Sequence, residues 1–95
     1  MYSLSGKAST DLDSILDYSI INFGAIVMVE YHQSLEKCFD ILDSNPDLGT
    51  EVDHICPNYM SFQHRSHLIF YKKNNQGILI IRILHKSMDA PRHFN

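Results

Sequence analysis

The chain has 95 residues, of which 44% are hydrophobic and 20% are charged. This length and composition are typical of one globular domain, so we expect a single domain over residues 1–95 rather than a disordered tail. The chain has eight Lys and Arg residues and eleven Asp and Glu residues, which gives a net charge of −3. This balance argues against a protein that binds nucleic acid directly, because such proteins usually carry an excess of cations.

Membrane, disulfide and metal chemistry are all weakly represented. The sequence has neither an apolar run of transmembrane length nor the basic-then-apolar start of an export signal. Two cysteines, Cys38 and Cys56, do not make a disulfide framework. His64 and His67 flank a turn without the Cys or carboxylate cluster that completes a zinc site. We therefore expect a cytoplasmic protein with reduced thiols, no metal, no cofactor and no membrane partner.

The first half of the chain predicts a short strand followed by two helices. Apolar and polar residues alternate over residues 2–5, and Ser5 stands where a helix N-cap belongs. Apolar residues then recur at helical spacing up to Gly24, which suits a left-handed helix end, and again up to Asn45. Pro46 stops the second helix, because the residue before a proline resists the α conformation. So tight a connection predicts an antiparallel helical hairpin.

The second half predicts an extended loop, three strands and an irregular tail. A polar tetrapeptide, Asn74 to Gly77, separates two apolar runs and is typical of a β-hairpin turn. We expect the loop over residues 46–58 and the tail over residues 86–95. The three expected strands cover residues 59–64, 67–73 and 78–85. The order β-α-α-β-β-β predicts a two-layer α+β fold in which the helical hairpin packs on an antiparallel sheet.

The last strand is apolar on both sides. Alternation places Leu79, Ile81, Ile83 and His85 on one face, and Ile80, Arg82 and Leu84 on the other. One face can pack on the helices, but a chain of this size has no obvious residues left to cover the second. We interpret the second face as a partner surface, since Arg among aliphatic residues is typical of interface anchors.

One group of residues invites a catalytic interpretation. Arg82, His85 and Lys86 close the last strand, and together they have the chemistry to stabilise a phosphoryl transition state and carry a proton. The alternative is that Arg82 pairs with a carboxylate and His85 is an ordinary sheet-edge residue. We favour this alternative over a catalytic role. We nevertheless favour a contact surface for these residues over a purely structural role. Nothing marks Cys56 as a nucleophile.

Three segments then occur in a recognisable order. They are residues 45–49 (NPDLG) after the helices, residues 66–71 (SHLIFY) and residues 82–89 (RILHKSMD). With the early strand, the two helices and the long loop, they resemble the ParE-type toxins of the RelE/ParE superfamily of bacterial toxin–antitoxin systems. The last segment is the most specific of the three, and the resemblance covers nearly the whole chain.

The resemblance implies the same β-α-α-β-β-β fold and a toxin that inhibits DNA gyrase by protein–protein binding, with no catalytic residues. It also implies a ParD-like antitoxin whose C-terminal segment lies on the helical hairpin and the sheet, in a hetero-oligomer. We take the target contacts to be Arg82, His85, Lys86 and Met88. We take the antitoxin contacts to be Tyr31, Phe70, Tyr71, Ile80 and Leu84.

Two other functions stay open. The first is a ribosome-dependent mRNA endoribonuclease of the RelE branch, for which Arg65, Arg82, Lys86 and Arg92 would hold the phosphate and His85 or Tyr71 would carry the proton. The second is an inactive relative that binds only its antitoxin.

The sequence also departs from the family at one place. Relatives usually carry an Arg-x-Gly-Tyr-Arg-like run before the third strand. This chain has Cys56, Asn58 and Met60 at the Arg, Gly and Arg positions and keeps only Tyr59. The loss of both arginines implies a different partner preference or weaker activity.

Overall fold

Two helices lie on one side of a five-stranded sheet in the computed structural model, which describes residues 1–94. The helices and strands are β1 (Tyr2–Leu4), α1 (Gly6–Phe23), α2 (Ala25–Ser44), β2 (Thr50–Glu51), β3 (Met60–His64), β4 (His67–Asn74) and β5 (Gly77–His85). Short 3₁₀ helices cover Pro46–Leu48 and Ala90–His93. The predicted α+β fold is confirmed, and the loop and tail contain elements that the sequence analysis did not predict.

The sheet is mixed rather than purely antiparallel. Its strand order is β1-β5-β4-β3-β2, and β1 pairs with β5 in parallel while the other neighbours are antiparallel. A strand of three residues gives no sequence signal of its direction. β5 lies between β1 and β4 and contributes to a core on each side of the sheet, which explains why its sequence is apolar on both faces.

The ends of the helices follow the predicted signals. Ser5 caps α1, because its hydroxyl oxygen accepts the N–H of Ala8 at 3.0 Å. Gly24 joins the helices at φ 90°, a conformation that a residue with a side chain rarely adopts. Within residues 1–94, neither helix is apolar enough along its length to cross a membrane.

The main core lies between the helices and the sheet. From α2 it receives Leu35, Cys38, Phe39 and Leu42, which pack against Ile69, Tyr71, Ile78, Ile80 and Ile83. Each large side chain buried in this way contributes about 2 kcal/mol. Burial also raises the pKa of the Cys38 thiol, which keeps it protonated as a small core residue.

A β-bulge in β5 changes which side chains face this core. Phe70 pairs with Arg82 while the next residue, Tyr71, pairs with Ile80, so Ile81 is an extra residue on the β5 side. Ile80 and Ile83 therefore point to the same face although they are three positions apart. The predicted face assignment was wrong, because strict alternation assumes a strand without an insertion.

The second face of the sheet is covered by the chain itself. Phe70 and Leu84 are buried with Val52, and residues of the loop and the C-terminal 3₁₀ region pack over them. Phe94 supplies much of this cover, with its ring 5.0 Å from that of Phe70 and 5.7 Å from that of Tyr59. The interpretation of this face as an open partner surface was therefore wrong.

Tyr71 fixes the segment that follows α2. Its hydroxyl donates to the carbonyl oxygen of Pro46 at 2.8 Å and accepts the N–H of Gly49 at 2.9 Å. Burial raises the pKa of this phenol, so Tyr71 stays neutral. The side chain is fully buried and acts as a structural anchor for residues 46–49.

Gly49 is expected to tolerate no side chain. A Cβ at this position would meet the Tyr71 side chain and lie 2.8 Å from the carbonyl oxygen of Ser61. Gly49→Ala should therefore lower the free energy of unfolding by about 2 kcal/mol, measured by urea denaturation. Gly6→Ala is the matched control, because a Cβ there meets nothing within 4 Å. Equal stability of the two variants would contradict this description of the loop.

Candidate interaction site

Arg82 is held within the chain. Its Nε and Nη2 donate to the two carboxylate oxygens of Asp11 at 2.8 and 2.9 Å, and its Nη1 donates to the carbonyl oxygen of His93 at 3.3 Å. Only 15% of the Arg82 side chain and 14% of the Asp11 side chain are exposed. The predicted role of Arg82 as a target contact does not fit this geometry, whereas pairing with a carboxylate does.

Four of the five residues expected to contact an antitoxin are buried. Phe70, Tyr71, Ile80 and Leu84 are at most 2% exposed, because the bulge and the C-terminal cover place them in one of the two cores. They offer no surface to a partner in this structure. Tyr31 is the exception, since it is only partly buried on α2.

Three histidines form a line across the sheet, which we call the histidine row. His64 on β3 pairs with His67 on β4, and His67 pairs in turn with His85 on β5. The rings of His67 and His85 are 5.5 Å apart. The ring of Tyr31 lies 5.9 Å from that of His64 and 5.7 Å from that of His67, so α2 covers two members of the row.

Hydrogen bonds join the histidine row to α2. The Tyr31 hydroxyl shares a 2.6 Å hydrogen bond with Nδ1 of His67, and the Ser34 hydroxyl shares one of 3.0 Å with Nε2 of His64. The guanidinium of Arg65 lies 5.5 Å from the centre of the Tyr31 ring, within the range of a cation–π contact. Two residues of the row, His64 and His67, therefore form part of the contact between α2 and the sheet.

Burial lowers the pKa of the two imidazoles that α2 covers, His64 and His67. It lowers the pKa of His67, and the neighbouring His85 and His64 lower it further. Burial followed by the nearby Arg65 lowers the pKa of His64. Both rings are therefore neutral at pH 7. Within residues 1–94, no three His, Cys, Asp or Glu side chains are grouped as a metal site requires.

A shallow cleft brings together part of the predicted target-contact set. It lies between α1, the end of β5 and the C-terminal 3₁₀ helix, and both His85 and Met88 line it. Met88 is 48% exposed, and Lys86 is exposed between these two residues in the sequence. The cleft thus joins His85 and Met88, with Arg82 committed to Asp11 beside them, whereas Lys86 is exposed outside its lining.

An exposed apolar surface on the helical hairpin was not predicted from the sequence. It is the hairpin tip, residues 18–29, where α1 ends and α2 begins. Its most exposed members are Tyr18 (63%), Ile21 (81%), Phe23 (62%) and Ile26 (78%). From Asp11 to its end α1 extends about 18 Å, whereas β5 continues only about 7 Å beyond its contact with Asp11. The helices are longer than the sheet, so their tip has nothing to pack on.

Charge is divided between the two layers. The helical hairpin, residues 6–44, carries seven Asp and Glu residues and two lysines. The remainder carries six Lys and Arg residues and four acidic ones. No residue of the hairpin tip is charged. The sequence offered two signals that were not used: this uncharged run of twelve residues, and the acidic excess around it.

Asn58 explains one departure from the family pattern. Its backbone has φ 67°, the left-handed region that glycine and asparagine adopt most readily, and Asp53 accepts its N–H at 3.1 Å. An asparagine at position 58 therefore suits the backbone conformation that this turn adopts.

Comparisons with known proteins identify the family and support the fold. The family model described as ParE toxin of type II toxin–antitoxin system, parDE, matches residues 2–90. Toxin ParE1 of Caulobacter vibrioides is 32% identical over 92 residues, which are 97% of this chain and 95% of that protein. A solved structure, the chromosomal ParDE TA system from P. aeruginosa, has a TM-score of 0.75 at 19% identity and covers 88% of this chain and 92% of its own. This last similarity establishes the fold.

The pair of Asp11 and Arg82 should contribute measurably to stability. Arg82→Ala leaves a mostly buried carboxylate without its partner and should lower the free energy of unfolding by about 2 kcal/mol. Chemical denaturation monitored by circular dichroism measures the change.

The control for this prediction is an exposed ion pair. Lys73 contacts Asp47 with side-chain exposures of 53% and 84%, so Lys73→Ala should change the stability little. If Arg82→Ala were as stable as Lys73→Ala, the Asp11 contact would not hold α1 to β5.

Proposed function

Because the chain belongs to the ParE toxin family of type II toxin–antitoxin systems, we propose that it inhibits DNA gyrase by protein–protein binding in the cytoplasm. We propose further that a ParD-like antitoxin neutralises it in a hetero-oligomer. The observation that carries the proposal is the family match over residues 2–90. The structure adds two supporting features, which concern catalysis and the antitoxin surface.

Two residues of the set considered for phosphoryl chemistry have structural roles. Of the set considered for phosphoryl chemistry, Arg82 is bound to Asp11 and Tyr71 is buried beneath residues 46–49. A guanidinium neutralised by a carboxylate contributes little to a transition-state phosphate, and a buried phenol cannot exchange a proton with a substrate. This supports a toxin that acts by binding rather than by cleavage.

The hairpin tip is the surface that best suits the antitoxin. It is apolar, uncharged and exposed, and it is bordered by Asp17 and Glu30 on a layer with an excess of carboxylates. Such a surface suits an amphipathic segment with apolar residues at its centre and Lys or Arg at its margins. The antitoxin contact is therefore proposed for the tip and the neighbouring Tyr31.

The surface that carries His85, Lys86 and Met88 is proposed to contact gyrase. All three lie within or beside the cleft at the end of β5, and none is committed to a core. Met88 offers exposed apolar area, and Lys86 offers a charge at the margin. This combination is typical of interface residues around a small apolar contact.

A gyrase assay tests the main proposal. Purified protein added to gyrase, ATP and relaxed plasmid should inhibit supercoiling or trap cleaved DNA, whereas messenger RNA on translating ribosomes should stay intact. Lys86→Ala and Met88→Ala should each raise the concentration needed for half inhibition by about tenfold, because interface anchors contribute more than 1 kcal/mol.

Matched variants control for charge and apolar area. Lys7→Ala removes an exposed lysine from α1, and Leu48→Ala removes an apolar side chain that is 51% exposed. Both should inhibit gyrase like the parent chain. Cleavage of messenger RNA with intact gyrase activity would instead support the RelE-type endoribonuclease, and the absence of both activities would support an inactive relative.

The antitoxin surface has its own test. Ile21→Asp places a carboxylate at the centre of the hairpin tip and should weaken binding of the cognate antitoxin at least a hundredfold, measured by calorimetry. Ile41→Asp is the control, because Ile41 is 52% exposed on the same helical layer but lies outside the tip. If both variants bound the antitoxin equally well, the tip would not be its docking surface.

A further inference from the structure

The histidine row continues into two exposed cations. Arg65 lies in the turn between β3 and β4, and Lys86 follows β5. The N–H of Lys86 donates to the carbonyl oxygen of Ser66 at 2.8 Å, which brings these two segments together at one end of the sheet. Neighbouring strands are about 4.8 Å apart, so the imidazoles and the cations form one surface across three strands.

The surroundings of this surface supply few carboxylates. From the helices, the groups around the row are Tyr31 and Ser34 of α2 and Ser14 and Asp11 of α1, with Asp11 paired to Arg82 of β5. From the C-terminal part of the chain, they are Ser87, Asp89 and His93. Arg82 compensates the charge of Asp11, which leaves Asp89 as the carboxylate that borders the row. The end of the sheet is therefore locally cationic although the chain is acidic overall.

We propose that the histidine row, with Arg65 and Lys86, is a binding surface for the phosphodiester backbone of nucleic acid. Guanidinium, ammonium and hydroxyl groups are the side-chain donors that most often contact phosphate and sugar. Because Tyr31 and Ser34 hydrogen-bond the rings of His67 and His64 to α2, Arg65 and Lys86 are the exposed groups of this surface that would contact the phosphates. The acidic helical layer repels a polyanion and so directs it to this end of the sheet.

This proposal reverses the expectation drawn from net charge. The value of −3 averages an acidic helical layer with a sheet layer that has more cations than carboxylates. A polyanion responds to the local field within about 10 Å, because salt screens more distant charges. The competing ligand for such a surface is an acidic protein, and the experiment separates the two.

Fluorescence anisotropy with a labelled duplex DNA of about 30 base pairs tests the proposal without gyrase. At roughly 50 mM KCl the parent chain should bind with a dissociation constant on the order of 10⁻⁵ M. Arg65→Asn combined with Lys86→Gln should weaken binding at least tenfold and reduce the slope of log affinity against log salt by about two. Asn is chosen because Arg65 has φ 53°, a conformation that Asn tolerates.

A matched double variant, Lys7→Gln with Lys37→Gln, removes the same formal charge from the helical layer and should change the affinity by no more than about twofold. Thermal melts establish that both double variants fold, and Lys86→Gln alone serves if the first does not.

Two outcomes would overturn the proposal: no binding by the parent chain, or equal losses in the two double variants. Displacement of the DNA by polyglutamate at equal charge concentration would overturn it in favour of an acidic protein ligand. None of these outcomes bears on gyrase inhibition, which is measured separately.

Discussion

The site depends on how the chain satisfies the backbone groups of β5 that β1 leaves unpaired. β1 pairs with only three residues of a nine-residue strand, so the rest of this edge of β5 needs other partners. The Ser5 hydroxyl donates to the carbonyl oxygen of Ile81, and the Asp11 carboxylate accepts the N–H of Ile83 at 3.0 Å. The same carboxylate binds Arg82, so one side chain of α1 both completes the ladder and neutralises the most central cation of the sheet.

Local signals explain why the elements could be predicted and the surfaces could not. Ser5, Gly24 and Pro46 act through their own backbone chemistry, and the helices begin and end beside them. The bulge at Ile81 has no such signal, because it arises from pairing with β4. A single inserted residue exchanges the two faces of a strand, so Ile80 lies on the same face as Ile83 and not on the face of Leu84.

Long-range contacts account for the other errors. Asp11 and Arg82 are 71 positions apart, and no local pattern joins a helix carboxylate to a strand guanidinium. The cover over Phe70 comes from Phe94, in a tail whose composition predicts only irregular structure. His85, Lys86 and Met88 were placed on one surface because they are close in sequence at the end of a strand, where proximity along the chain implies proximity in space.

The hairpin tip proposed for the antitoxin and the histidine row proposed for nucleic acid meet at Tyr31. The hairpin tip ends two residues earlier on α2, and the Tyr31 hydroxyl bonds to His67 in the middle of the histidine row. An antitoxin segment seated on the tip, as proposed, would therefore reach the edge of the cationic surface without any change in the fold. Such a change would be costly, because it would break the Asp11 contacts and open a core in which Leu35, Ile80 and their neighbours are fully buried. Covering these adjacent surfaces would therefore be a less costly way to block the proposed contacts than changing the fold.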